Sequence, residues 1–297
     1  MLLDKKLPFS YIITKAKRHF IMVTLISIII YLIQQQLINF IPPIPVSIPI
    51  FLGTAISLIL SFNLNQSYER WWEARKIWGS IVNDSRMLVM QVKSFDKTND
   101  PVLLQKIAFR QIAWCYCFGQ SLRKDEPCGN IAPFLSKDDL AALVSHTNKP
   151  LALMDQHSQD LKKLKESGGI DIFHHVQLDN TLVRLVNSMG KAERINTTVF
   201  PTTYSFFMHM LIYIFITLLS VSLSEIDGLF EIPLLILISV PFLLLERTAK
   251  DMQDPFSGYA TDTPVTAIAQ TIEINLRQLI NNQDLPKPVD MSGFYVD

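Results

Sequence analysis

The sequence predicts an all-α integral membrane protein whose four transmembrane helices are continuous with a helical cytosolic region. Three observations predict it. Four runs are predominantly apolar over lengths near the roughly 20 residues that cross ~30 Å of hydrocarbon. One of them passes without a break into a patch of Arg, Glu and three Trp, as a span does on leaving the bilayer, because an indole ring is apolar while its N–H needs a polar partner. The long middle of the chain repeats apolar residues at helical spacing and holds no strand-rich stretch. Of 297 residues 49% are hydrophobic, and 27 basic residues balance 27 acidic ones, so composition admits a membrane protein and location along the chain decides it. No basic cluster dominates any segment, so nucleic acid is not an expected partner.

The spans fall at about residues 20–41, closed by Pro42 and Pro43, then 47–64, 204–223 and 230–245. The fourth is short and carries Pro233 and Pro241. Burial in a large soluble core could account for the fourth alone, but not for all four. The first run is long, ends in Gln34 to Gln36 and lacks a small-residue cleavage pattern, so it reads as a retained span and not a signal peptide. Orientation follows loop charge: Lys5, Lys6, Lys15, Lys17 and Arg18 precede the first span, and the turn after it is uncharged. Acidic residues alone charge the turn between spans three and four, whereas Arg247 and Lys250 follow span four. Both termini are therefore expected in the cytoplasm. The chain divides into residues 1–64 (N-terminal segment and spans one and two), 65–203 (cytosolic helices), 204–245 (spans three and four) and 246–297 (C-terminal helix and tail).

Within the cytosolic region, Val102, Leu103, Ile107, Ile112, Cys115 and Phe118 form one apolar stripe, and Ser136 with Asp139 resembles a helix start. Leu151 to Lys165 is amphipathic and ends at Gly168 and Gly169; a further helix covers Asp171 to Arg194 with Leu178, Leu182, Leu185 and Met189 on one face. Pro264 opens a last amphipathic helix carrying Ile268, Ile272, Leu276 and Leu279. Cys115, Cys117 and Cys128 show no zinc-type spacing and read as reduced thiols. There is no Gly-rich phosphate loop, nucleophile elbow or zinc-binding His pair, so no enzyme is expected. His174, His175 and Asp179 read as a solvated helix face, and neither a metal nor another cofactor is assigned.

The second span carries more information. Thr54, Leu58 and Phe62 recur every four residues and share one stripe, while Gly53, Ser57 and Ser61 allow a neighbouring helix to approach closely. Such a stripe faces lipid, fills a bundle core, or rings an axis and closes a pore by dewetting.

The stretch SFNLNQSYERWWEARKIWG, residues 61–79, resembles the signature of the bestrophin family, above all its bacterial branch. GKAERINTTVFPTTY (190–204) is similar to the family's approach to its third membrane segment, and QDPFSGYATDTPVTAI (253–268) to the segment after its fourth. The signature residues are Glu69, Arg70, Trp71, Trp72, Glu73, Arg75, Asp254, Pro255 and Phe256. Trp71, Trp72 and Trp78 read as anchors between bundle and headgroups. The resemblance implies a homopentamer in a bacterial inner membrane, conducting monovalent ions along its axis, with the second helix lining the pore. It places the hydrophobic neck at Phe62, Leu58 and Thr54, in order from the cytoplasm outward, and Thr54 is smaller than the family's usual residue there. It places a cytosolic aperture at Ile172, with Phe173 as the alternative.

Animal members bind calcium through an acidic run after the Pro-Phe motif; here Asp254 and Asp262 are separated, a poor supply of hard oxygen ligands, so no calcium gating is expected. Chloride or another anion is the family default, and sodium is the alternative because a bacterial member conducts it. Apolar rings do not choose between signs of charge; Glu69, Asp171 and Lys191 are the residues whose placement decides. Two rival readings stand beside the channel. A secondary transporter needs polar groups near the midplane, where spans two and three offer only His209, and a membrane scaffold needs no pathway at all.

Overall fold

The computed structural model describes residues 1–296 apart from 3, 4, 7, 38–43, 124, 126, 127, 199 and 224–227. The expected stop of the first span at Pro42 and Pro43 lies outside the described residues. Among the described residues the chain is all-α apart from one short 3₁₀ turn, Ala132–Phe134, and an isolated bridge between Leu2 and Tyr295. It forms two compact units, one of Asp4–Arg70 and Val199–Gln253, the other of Met1–Leu3, Trp71–Thr198 and Asp254–Asp297.

The first unit holds α1 (Phe9–Leu37), the first half of α2 (Ser47–Phe95), α7 (Thr202–Ser222) and α8 (Gly228–Gln253). Helices α1, α7 and α8 pack against one another pairwise. Ile56 and Leu60 of α2 join Val23, Ile212, Phe215 and Leu243 in a buried apolar cluster. Gly53 lets α2 come close to α7, since a Cβ there would lie 3.0 Å from the Phe215 ring. The outward faces remain apolar, with Leu25, Ile29 and Leu32 on α1, Phe206 and Phe207 on α7 and Leu237 on α8 all exposed. A surface so apolar has hydrocarbon as its solvent. Among the described residues four helices are long and apolar enough to cross a membrane: Phe9–Ile33, Ser47–Phe95, Thr202–Ser222 and Phe230–Gln253.

Helix α8 keeps both prolines inside it and continues past the expected end at 245. Its added turns carry charged residues, but the carboxylates have partners: Glu246 lies 3.3 Å from His209, and Asp251 pairs with Arg247 at 3.1 Å and with Lys15. Compensated carboxylates allow a helix to run on where bare ones would end it.

The second unit contains the rest of α2 with α3 (Pro101–Arg123), α4 (Lys137–Leu143), α5 (Lys149–Glu166), α6 (Ile172–Thr197) and α9 (Val265–Leu279). The starts of α4, α5 and α6 are capped by side chains. Ser136 accepts from the Asp139 N–H as its spacing predicts, Asn148 accepts from Leu151, and Asp171 accepts from His174. Helix α5 stops where Gly168 takes φ +79° and the Gly169 N–H returns to the Leu164 carbonyl at 2.9 Å. Helix α3 packs on α9, α5 and α6. At the centre Phe118 stacks between Trp78 and Trp114, with ring centroids 5.8 and 5.3 Å away, and all three rings are fully buried.

Two expectations on α3 are corrected. Val102 is not part of the buried stripe: it stands in the first turn beside the capping Asp100 and is 72% exposed. Cys117 and Cys128 are not free thiols, because the loop after α3 folds back and joins them in a disulfide, Cα–Cα 4.3 Å; Cys115 stays free and buried, its thiol pushed up to about 12 by burial. A spacing of 11 residues is no motif, so only the chain reversal reveals the pair.

Arg110, 1% exposed, donates to Asp160 at 2.7 Å and reaches Asp139 at 3.3 Å, while Lys106 lies 3.0 Å from Asp160. Burial pushes the Asp160 carboxyl up, but the hydrogen bonds from Arg110 and Lys106 outweigh it and hold the group below the usual carboxylate range. Its contribution to stability is present above the unfolded value and lost as pH falls through the folded one. Replacing Asp160→Ala strands a buried guanidinium and should lower the stability of the full chain in detergent by about 3 kcal/mol or more; a thermal midpoint equal to wild type contradicts it. Asp262 behaves oppositely, since burial raises its carboxyl to about 6 against the Tyr259 and Gly258 N–H groups that favour the charge. Stability from this group is complete below the unfolded value of about 3.9 and declines as pH rises through the folded one. Asp262→Asn should therefore flatten the fall in thermal midpoint between about pH 4 and about pH 7; an unchanged slope refutes this.

Candidate ion pathway

Helix α2 turns two opposite stripes in two directions. Gly53, Ile56, Leu60, Asn63 and Ser67, spaced by three and four residues, are all buried. Thr54, Leu58 and Phe62 lie roughly half a turn away and are exposed, Leu58 by 60% and Phe62 by 62%. Among the described residues no core covers them. The Thr54 hydroxyl donates back to the Ile50 carbonyl at 2.9 Å, so its proton is used within the helix. Ser57 does the same to Gly53 at 2.8 Å.

The buried stripe ends in a polar clamp. Gln253, at the last position of α8, donates from Nε2 to the Asn63 Oδ1 and the Ser67 Oγ, each at 3.2 Å. Arg70 Nε donates to the Gln253 carbonyl at 2.5 Å, so backbone and side chain of one residue hold three positions of α2. None of Asn63, Ser67 and Gln253 stands out in the sequence as a functional candidate. The available signal was a polar pair four residues apart on the buried face of an apolar helix.

Of the remaining signature residues, Trp71 donates from Nε1 to the Thr261 carbonyl at 2.8 Å and lies beside Trp72, ring centroids 6.1 Å apart. Trp72 is 46% exposed, but Trp78 is no headgroup anchor, being part of the buried aromatic stack. Glu73 pairs with Lys76 at 2.6 Å and not with Arg70. Arg75 is half-buried and Glu69 exposed. Pro255 and Phe256 are buried, Asp254 is exposed, and the loop is closed by Thr263 donating to the Pro255 carbonyl at 3.0 Å.

Ile172 and Phe173 occupy the first turn of α6, exposed by 56% and 80%. Asp171 caps that turn and lies 3.1 Å from His174 Nδ1. The hydrogen bond from the His174 N–H draws the Asp171 carboxyl below its ordinary value. His174 itself stacks on Phe95 at 4.2 Å. Among the described residues no group of three His, Cys, Asp or Glu could hold a metal ion.

Comparison with known proteins places this geometry. Residues 9–278 match the model of the Bacterial/Fungal Bestrophin protein family. The voltage-dependent anion channel-forming protein YneE of Escherichia coli (strain K12) is 30% identical over 80% of this chain and 78% of its own length. Its counterpart from Salmonella typhi is 32% identical over 79% of this chain and 77% of its own. The crystal structure of a bacterial bestrophin homologue from Klebsiella pneumoniae superposes with a TM-score of 0.84 at 26% identity, covering 92% of this chain and 99% of that one. The chain is therefore an all-α, multi-pass membrane protein of the bestrophin fold and belongs to the bacterial bestrophin family.

Proposed function

We propose that this chain forms a homopentameric channel for monovalent ions, with α2 of each copy lining the axis in the membrane and anions as its cargo. The single observation that carries this is the exposed stripe Thr54, Leu58 and Phe62, uncovered along a helix whose opposite face is fully packed. Five copies of that stripe around an axis make an apolar neck, narrow at Phe62 and Leu58 and wider at Thr54, which resists ions by dewetting. Ile172, with Phe173 beside it, forms a second constriction at the cytosolic exit. The anion reading follows the relatives, whose names describe voltage-dependent anion channel-forming proteins. The signature residues Arg70 and Trp71 hold α2 in place and touch no ion. In this reading residues 65–203 and 246–297 face the cytoplasm with both termini, and the membrane is the bacterial inner membrane.

The neck is tested by truncation. Leu58→Ala with Phe62→Ala should raise the current in planar bilayers by up to about tenfold, as a barrier lowered by about 1.4 kcal/mol would. Currents identical to wild type in both single variants and the double would contradict the neck, and no current from any of them, wild type included, would favour a scaffold. Gating by calcium is not expected, since exposed Asp254 and buried Asp262 supply only two carboxylates. Wild-type currents should stay level as calcium is raised through the micromolar range; a steep rise would refute this.

A further inference from the structure

We propose that Glu69 tempers the anion preference of the pathway, drawing cations toward it by placing a carboxylate on the face that carries the neck. This rests on the channel reading above. Phe62 and Glu69 are seven residues apart, two helical turns, so they share a face about 10 Å apart along the axis. Glu69 falls near the middle of the stripe that Thr54, Leu58 and Phe62 begin, and it is exposed. Among the described residues its carboxylate has no hydrogen-bond or ion-pair partner. The nearby charges are otherwise engaged: Arg70 is turned onto the Gln253 carbonyl, and Glu73 is neutralised by Lys76 at 2.6 Å. Asn65 and Gln66, between Phe62 and Glu69, are uncharged.

A five-fold assembly turns this residue into a ring of five carboxylates at the cytoplasmic mouth of an apolar throat. Low-dielectric walls focus such a field, concentrating cations and depleting anions where the neck begins. The apolar rings themselves have no preference, so the nearest uncompensated charge biases which ion is presented to them. Glu69 thereby limits the anion preference that the relatives' names describe.

The test is the reversal potential of the full-length protein in planar bilayers under asymmetric sodium chloride. Losing one kT of negative potential at the mouth should raise the chloride-to-sodium permeability ratio by about sevenfold, since the two ions respond in opposite directions. Glu69→Gln should therefore shift the reversal potential toward that of chloride, Glu69→Lys should shift it further, and Glu69→Asp should stay near wild type. The wild-type chloride-to-sodium permeability ratio should also rise with ionic strength, because salt screens the ring; this needs no variant to fold. Variants that conduct with an unchanged reversal potential, or a wild-type ratio insensitive to salt, overturn the proposal and leave the channel intact. Wild-type protein that carries no current overturns the channel itself.

Discussion

The rotation of α2 about its own axis is the constraint on which the rest depends, and the Gln253 clamp sets it. Asn63, Ser67 and Gln253 are 3%, 0% and 5% exposed, so their polar atoms have no water to fall back on. A buried amide or hydroxyl without a partner costs about 1–3 kcal/mol. Turning α2 by a single residue position, about 100°, would separate these groups at once and leave the Arg70 guanidinium without the Gln253 carbonyl. Gly53 against Phe215 adds a steric limit of the same kind about three turns from Asn63, because no other rotation puts a residue without a side chain against that ring. A polar clamp at one end and a close approach at the other leave one orientation.

Once rotation is settled, exposure follows. Ile56 and Leu60 must face the bundle, so Leu58 and Phe62 must face away. In water two large apolar side chains in that position would cost on the order of 1.5–3 kcal/mol each. A membrane or a symmetric assembly removes the cost, and only the assembly gives the residues a shared purpose. The helix then continues unbroken to Phe95, and Trp78, fully buried beside Phe118, ties its later turns into the core of the second unit. The Arg-Trp-Trp block thus identifies the family while serving as support for the turns before it.

Much of this was legible in the sequence where a periodic pattern is strong. The stripes of α6 and α9, the Ser136 cap and the glycine stop of α5 all appear where spacing puts them, because each depends on residues within a few positions of one another. What failed depends on contacts between distant segments. Val102 fits the period of α3 but lies too near its start to be covered, and Cys128 meets Cys117 only because the chain doubles back. Gln253 lies 190 residues from Asn63, and nothing local marks its amide as a clamp. Trp78 looked like its neighbours Trp71 and Trp72, yet two further turns of helix carry it into a different environment. The Thr54, Leu58 and Phe62 stripe was visible as a period, but only the packed opposite face shows which way it points.

The proposed channel requires this stripe to line the ion pathway and not to face lipid. Cysteines placed singly at positions 54, 56, 58, 60 and 62 and treated with a charged, membrane-impermeant thiol reagent during bilayer recording test it most directly; Cys115, fully buried, provides no background. Modification at 54, 58 and 62 that changes the current, with silence at 56 and 60, is the predicted result. Silence at 58 and 62, with the protein conducting, would place the stripe against lipid and contradict the account.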